Sequence, residues 1–556
     1  REIPSDLKTL GQHLALDSSR CHEGSRCPTL SVSHSSDSSF LDQVPDRGET
    51  SAFCSSMQPA PCRIVHPGHI NKPDPLPVTT HSSDLGSQDD QQVMSRFRYV
   101  QELRRTIRFF GSFAVAFSFI SITTGIFENY KSLLADSGPI GIWTWPLVTC
   151  GQLLVALVFA ELASRIPLSG YSYQWLTRLA GPAWGWLVGW ISVCFLVIVV
   201  PTVDHVIARI AGHVFEIPAS SHWLKGIVIG VITLQALIHV SGVRLANIIN
   251  SVAVFTEVVG MVGLVLVFGG IALSGSPDPQ LLAQSSTMPE AGTGMTAWLM
   301  GCLMGAYTLV GFESAANLSE ETVDAAATVP RSIIWSVVIS GGVGTLFLVV
   351  ITLGINDLET VTASQYPLPL IIESHLGQGV ARAFFGLVVV SVFACGLIIM
   401  ASGSRLVYAM SRDGLFPAYR LFRHVSPRTA VPIPAILMFM VLGVLATLFN
   451  DSIQQLVLAA AVLPAVIYLV TVIAYLLRRN RLSSQFGTFT LGRFGTPIAC
   501  AAACWLVAMI AVLSIPESFR GPSLISLGLC AAGLVPWFCW FRGRIDPPDA
   551  GPDIKS

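Results

Sequence analysis

Between about residue 98 and residue 541 the sequence alternates long apolar runs with short polar loops, and the runs carry no amphipathic stripe. A helix that is apolar on every side belongs to a dry core or a bilayer, and about 20 residues of helix span the hydrocarbon layer. Twelve such runs are predicted, near 108–127, 142–161, 184–206, 222–240, 249–273, 295–318, 332–354, 382–410, 433–449, 453–477, 497–514 and 522–541. The fold class they imply is an all-α integral membrane protein with a helical domain over 98–541. Residues 1–95 are rich in Ser, Asp, His and Pro and show no hydrophobic period. That composition predicts a disordered tail, without the apolar core and positive flank of a cleavable signal. Residues 542–556 make a second polar tail.

The composition agrees with the pattern. Hydrophobic residues make up 52% of the chain and charged ones 12%, against roughly 25% charged in soluble domains. Arginines gather in alternate loops: Arg96, Arg98, Arg104, Arg105 and Arg108 before the first run, Arg165 and Arg178 after the second, Arg244 after the fourth, Arg331 after the sixth. Further clusters follow the eighth and tenth runs. Basic loops stay in the cytoplasm, so both termini are expected there, in a multi-pass protein of the plasma membrane. Four of the twelve cysteines lie in the tail, and no C-x-x-C pair occurs. Their irregular spacing to His13, His22 and His34 gives no zinc site. No cofactor, metal or nucleic acid is expected, and no nucleotide loop or catalytic triad points to an enzyme.

Two runs are interrupted. The first reads SFAVAFSFISITTGIFENY, and its apolar pattern breaks at Ser121, Thr123, Thr124 and Gly125 before Ile126 resumes it. The sixth breaks at Gly311, Phe312 and Glu313. A lone Gly or Thr pair in a membrane helix usually marks close helix packing. Interruptions at matching places in two halves, one bearing a carboxylate, point instead to a transporter site on an inverted repeat.

The segments VALVFAELASRIPLSGYSYQWLTRLAGPAWGWLVGW, GFESAANLSEETVDAAATVPRSI and SGSRLVYAMSRDGLFP resemble signature segments of the amino acid–polyamine–organocation permeases, nearest the amino acid/choline (γ-aminobutyrate/choline) subgroup. The resemblance covers about residues 98–541. It implies a LeuT-type fold of five-plus-five inverted repeats, with discontinuous first and sixth helices and two added helices. It implies secondary active transport by alternating access, of an amino acid, γ-aminobutyrate, choline or a related amine, with a proton as the coupling ion and sodium left open.

Carried onto this chain, the resemblance puts the substrate at Ser121, Thr123, Thr124, Gly125 and Ile126, with Gly311 and Phe312 opposite and Tyr307 as an aromatic gate. The family's Gly-Ser-Gly break keeps one glycine here, Gly125. Glu313 matches the sixth-helix acid and is a candidate for proton coupling. Some proton-coupled relatives place a lysine seven residues after a fifth-helix asparagine; counting from Asn250 reaches Glu257 instead. Glu257 is then either a proton carrier or a partner for a neighbouring helix. Asp204, with His205, is a vestibule, ion-site or interface residue. Ser402 and Ser404 face the first helix in this fold, where sodium-coupled relatives use hydroxyls. Arg405, Arg412 and Asp413 form a cytoplasmic latch or anchor the helix end. The three intramembrane acids Asp204, Glu257 and Glu313 favour a substrate with a positive end. The rival function is a nutrient sensor on the same fold, which the long tail leaves open; a channel would want a ring from symmetric subunits.

Overall fold

A computed structural model describes residues 94–95, 97–215, 217, 222–275, 278–286, 295–449, 453–482, 487–514 and 517–541. The expected tails at 1–95 and 542–556 lie outside the described residues, Met94 and Ser95 excepted. Among the described residues the structure is helical, and its one extended pairing is an isolated bridge between Ile107 and Thr322.

The first run is two helices, α1 (Phe109–Ile120) and α2 (Ile122–Asp136). Then come α3 (Thr144–Arg165), α4 (Tyr171–Leu179), α5 (Pro182–Val214), α6 (His222–Val240) and α7 (Val243–Ser274). The sixth run is in pieces: α8 (Met295–Met300), α9 (Cys302–Thr308) and α10 (Ser314–Asn317). The remaining long helices are α11 (Ala325–Leu353), α12 (Gln378–Arg412), α13 (Ile433–Phe449), α14 (Ile453–Arg478), α15 (Gly495–Ser514) and α16 (Glu517–Ala532).

Among the described residues eight helices are long and apolar enough to cross a membrane, counting α1 and α2 together. The other runs give shorter apolar helices or, at the sixth, fragments too short to span alone. The most hydrophobic stretch of the α1–α2 span is 89% buried, against 28% for α7. The broken helix therefore sits at the centre, while α7 turns Leu266 and Leu273 outward. Small residues let the helices close up: a side chain added at Gly341 of α11 would fall 2.0 Å from Thr149 of α3.

Charged residues tie one end of the bundle. Glu320 and Glu321 follow α10 and are wholly buried. Arg405 and Arg412, two turns apart on one face of α12, each hold one of them. Arg412 forks onto Glu320 at 2.8 and 3.0 Å, and Arg405 reaches Glu321 at 2.8 Å. The segment before α1 lies across the same acids, with Thr106 and Ile107 N–H donating to the Glu321 carbonyl. Asp413 accepts from Tyr99 and Tyr173 at 2.8 and 2.7 Å. Burial, and then the Asp413 carboxylate, raise the Tyr99 phenol above its usual range, so it stays a donor at neutral pH. Arg405 and Arg412 thus clamp the segment after the sixth run, while Asp413 holds the segment before α1 and α4.

Removing one member of a buried ion pair strands the other charge. Arg412→Ala should lower unfolding stability by about 3–5 kcal/mol, whereas exposed Arg382→Ala should stay within about 0.5 kcal/mol. Urea or thermal unfolding of the two purified variants checks this, and equal effects contradict the clamp.

Candidate functional site

The break in the first run is one residue wide. Ser121 adopts a left-handed conformation, with φ 43°, and separates α1 from α2. Thr123, Thr124, Gly125 and Ile126 therefore lie in the first turns of α2 rather than in unwound chain. The first N–H groups of α2 have no partner inside their own helix. One finds a carboxylate: Thr123 N–H donates to Glu257 Oε1 of α7 at 3.0 Å. The Ser121 hydroxyl lies 2.5 Å from Thr124 Oγ1 and 2.7 Å from Ser391 Oγ of α12.

The second break runs from Leu309 to Glu313, with Gly311 at φ +83°. Only glycine fits there, because an added Cβ would also fall 1.8 Å from the Phe119 ring. The Gly311 N–H donates to Tyr468 Oη of α14 at 2.9 Å, and that hydroxyl donates to Glu313 Oε2 at 2.5 Å. Glu313 is buried at 4% exposure. Phe312 is wholly buried and packs against Tyr468 and Phe159, with ring centres 5.3 and 5.9 Å away.

A small cavity of about 30 Å³ lies between the breaks, bounded by Ile120, Thr124 and Gly125 on one side and Tyr307, Thr308 and Val310 on the other. Phe195, Val199 and Val203 of α5 and Cys395 of α12 close its walls. A Cβ at Gly125 would meet the Thr308 side chain at 2.0 Å, so the glycine sets the closest approach of the two broken helices. One turn further along α2, Phe127 packs on Tyr366 and Phe385, and Glu128 pairs with Arg209 of α5.

Of the residues expected at the substrate, Thr124, Gly125 and Tyr307 line this cavity. Ser121 and Thr123 serve the break, Ile126 is core, and Gly311 and Phe312 face Phe119 and Tyr468. No residue bounding the cavity is charged. Glu257 and Glu313 are engaged at the breaks, and Asp204 is wholly buried, accepting from Gln235 of α6 at 2.8 Å. Asp204 is thus an interface residue in this conformation and lines no open vestibule. None of the three acids lines the cavity in this conformation, so none stands there beside the positive end of a substrate. Ser402 Oγ is buried without a partner. Ser404 Oγ accepts from Arg405 at 3.0 Å, and the α12 hydroxyl at the first break is Ser391, three turns earlier along the helix.

Tyr468, Ser391, Thr308, Glu320 and Glu321 were missed in the sequence. Tyr468 had a signal. It and Tyr475 are polar tips seven residues apart on one face of an otherwise apolar run, and a buried tyrosine needs a partner for its hydroxyl. Tyr475 donates to buried Glu161 at 2.6 Å, as Tyr468 does to Glu313.

Comparison with known proteins places this geometry in a family. The profile of the family described as amino acid permease matches residues 107–531. An amino-acid permease of Arabidopsis thaliana is 28% identical, over 82% of this chain and 96% of the relative. The GABA-specific permease of Saccharomyces cerevisiae is 26% identical, over 78% and 80%. A putative polyamine transporter of Candida albicans is 24% identical, over 77% and 81%. The resemblance carried by three sequence segments therefore holds over most of the length, and the protein is a membrane transporter rather than an enzyme. The chain belongs to the amino acid permease family.

Proposed function

We propose that this chain carries an amino acid or a related small zwitterion across the plasma membrane by alternating access. The observation that carries the reading is the meeting of two broken helices, α1–α2 and α9–α10, across one uncharged cavity. The α2 N-terminus presents N–H donors and the α9 C-terminus presents carbonyls, which suit a carboxylate and an ammonium group respectively. The cavity has about 30 Å³ of free room, enough for one or two waters, so it has to widen to admit an amino acid. With its charged groups met by helix ends, the ligand needs no side-chain charge. γ-Aminobutyrate fits the same logic, in keeping with the yeast relative's name; choline and polyamines lack the carboxylate that the α2 terminus would hold.

The architecture that goes with this reading has twelve spans in a five-plus-five inverted repeat, both termini cytoplasmic. Pieces α8 to α10 make the sixth span, five after the first. The coupling ion is a proton, and Glu313 is its sensor. A carboxyl group at an interrupted helix, held by one tyrosine, responds both to protonation and to movement of the break.

Three experiments bear on this. Uptake of labelled amino acids into proteoliposomes should be saturable and driven by an inward proton gradient; binding without any flux would favour the sensor. Glu313→Gln keeps an acceptor for Tyr468 but cannot titrate, so it should retain exchange while losing pH dependence and concentrative uptake. Concentrative uptake with unaltered pH dependence contradicts the assignment. Gly125→Leu should insert and fold yet lower uptake by at least about tenfold, the effect of ~1.4 kcal/mol; replacing Thr308 by glycine in the same chain should restore part of it. Normal uptake by Gly125→Leu alone would mean the contact plays no part in transport.

A further inference from the structure

Behind the cavity wall lies a second buried polar group that the transport reading does not use. Val203 and Cys395 face the cavity, while the residues next to them, Asp204 and Gly396, meet Gln235 of α6. A Cβ at Gly396 would fall 2.5 Å from Asp204 Oδ1 and 2.4 Å from Gln235 Nε2. The missing side chain is what makes room for the acid and the amide to meet.

Their hydrogen bonding is half complete. Gln235 Nε2 donates to Asp204 Oδ1 at 2.8 Å, yet Asp204 Oδ2 and Gln235 Oε1 are both buried without a partner. Two acceptors left over on facing groups are what an acid–amide pair has when one hydrogen is missing from the account. A proton on Oδ2, donated to Oε1, would complete a reciprocal pair. A carboxylate there would leave two bare oxygens and a charge without a cation.

The line continues along α6. His239, one turn after Gln235, is 1% exposed, and its Nε2 lies 2.7 Å from the Leu397 carbonyl. A carbonyl only accepts, so Nε2 holds the hydrogen and Nδ1 holds the lone pair; Nδ1 is buried without a partner. Few other titratable groups face this line. Cys395 adjoins it on α12 with Glu257 beyond, and Arg405 acts on His239 from the same helix. Helices α1 and α13 carry no titratable side chain. Tyr468 of α14 is engaged with Glu313, and Tyr173 of α4 with Asp413.

We propose that Asp204, Gln235 and His239 form a proton-holding seam between α5, α6 and α12, separate from the substrate cavity. The proton rests on Asp204 Oδ2.

Infrared difference spectroscopy of the full chain in lipid nanodiscs, without substrate, tests this apart from any transport. At neutral pH the spectrum should contain a protonated-carboxyl carbonyl band that Asp204→Asn removes and that Glu313→Gln and Glu257→Gln keep. A band of full size in Asp204→Asn overturns the proposal. Gly396→Ala, which pushes a methyl group between acid and amide, gives a second reading if the asparagine variant does not fold. It should move the band to the higher frequency of a weakly bonded acid, and an unmoved band would equally overturn the seam. Because no substrate is present, failure of either variant to change the spectrum leaves the substrate reading untouched.

Discussion

A helix interrupted inside an apolar bundle leaves backbone N–H groups that neither lipid nor apolar side chains will bond, and the arrangement at both breaks follows from that constraint. Two breaks exist, and each is served by a buried acid. Glu257 accepts directly from Thr123 N–H at the start of α2. Glu313 works through Tyr468, which takes the Gly311 N–H and passes its own hydrogen to the carboxylate. The acids that looked out of place in apolar runs are the partners that let those runs be broken.

This commitment changes what the acids say about the ligand. A carboxylate already holding backbone is a poor counter-ion for a substrate ammonium, so the uncharged cavity and the helix ends carry recognition on the proposed reading. It also connects protonation to shape. On the proposed reading, neutralising Glu313 alters the group that holds the break and so ties a proton to the conformation of the sixth run.

The sequence was legible where a physical rule has a strong local signature. Apolar runs gave the helices, and Gly311 in an apolar run gave the second break. The first break was placed over four residues, Ser121 to Gly125, although Ser121 alone makes it. Serine carries no strong left-handed preference, and the chain around it is helical on both sides. Glu257 was seen as an alternative between proton carrier and helix partner, and the structure supplies a specific partner, the Thr123 backbone. What no local pattern revealed is pairing across the fold: Tyr468 with Glu313 across 155 residues, or Arg412 with Glu320 across 92. Ser391, which meets the first break, has no distinguishing local pattern for a related reason. A long apolar helix offers several hydroxyls, and only its neighbours tell which one meets the break.

The central claim is that Tyr468 and Glu313 act as one unit in holding the second break. A double-mutant cycle with Tyr468→Phe and Glu313→Ala, each of which removes the hydrogen bond, read by unfolding stability of the purified protein, measures it most directly. The account predicts a coupling energy of about 1–3 kcal/mol, in the range of residues sharing one hydrogen-bond network. Effects that simply add, within about 0.3–0.5 kcal/mol, would contradict it.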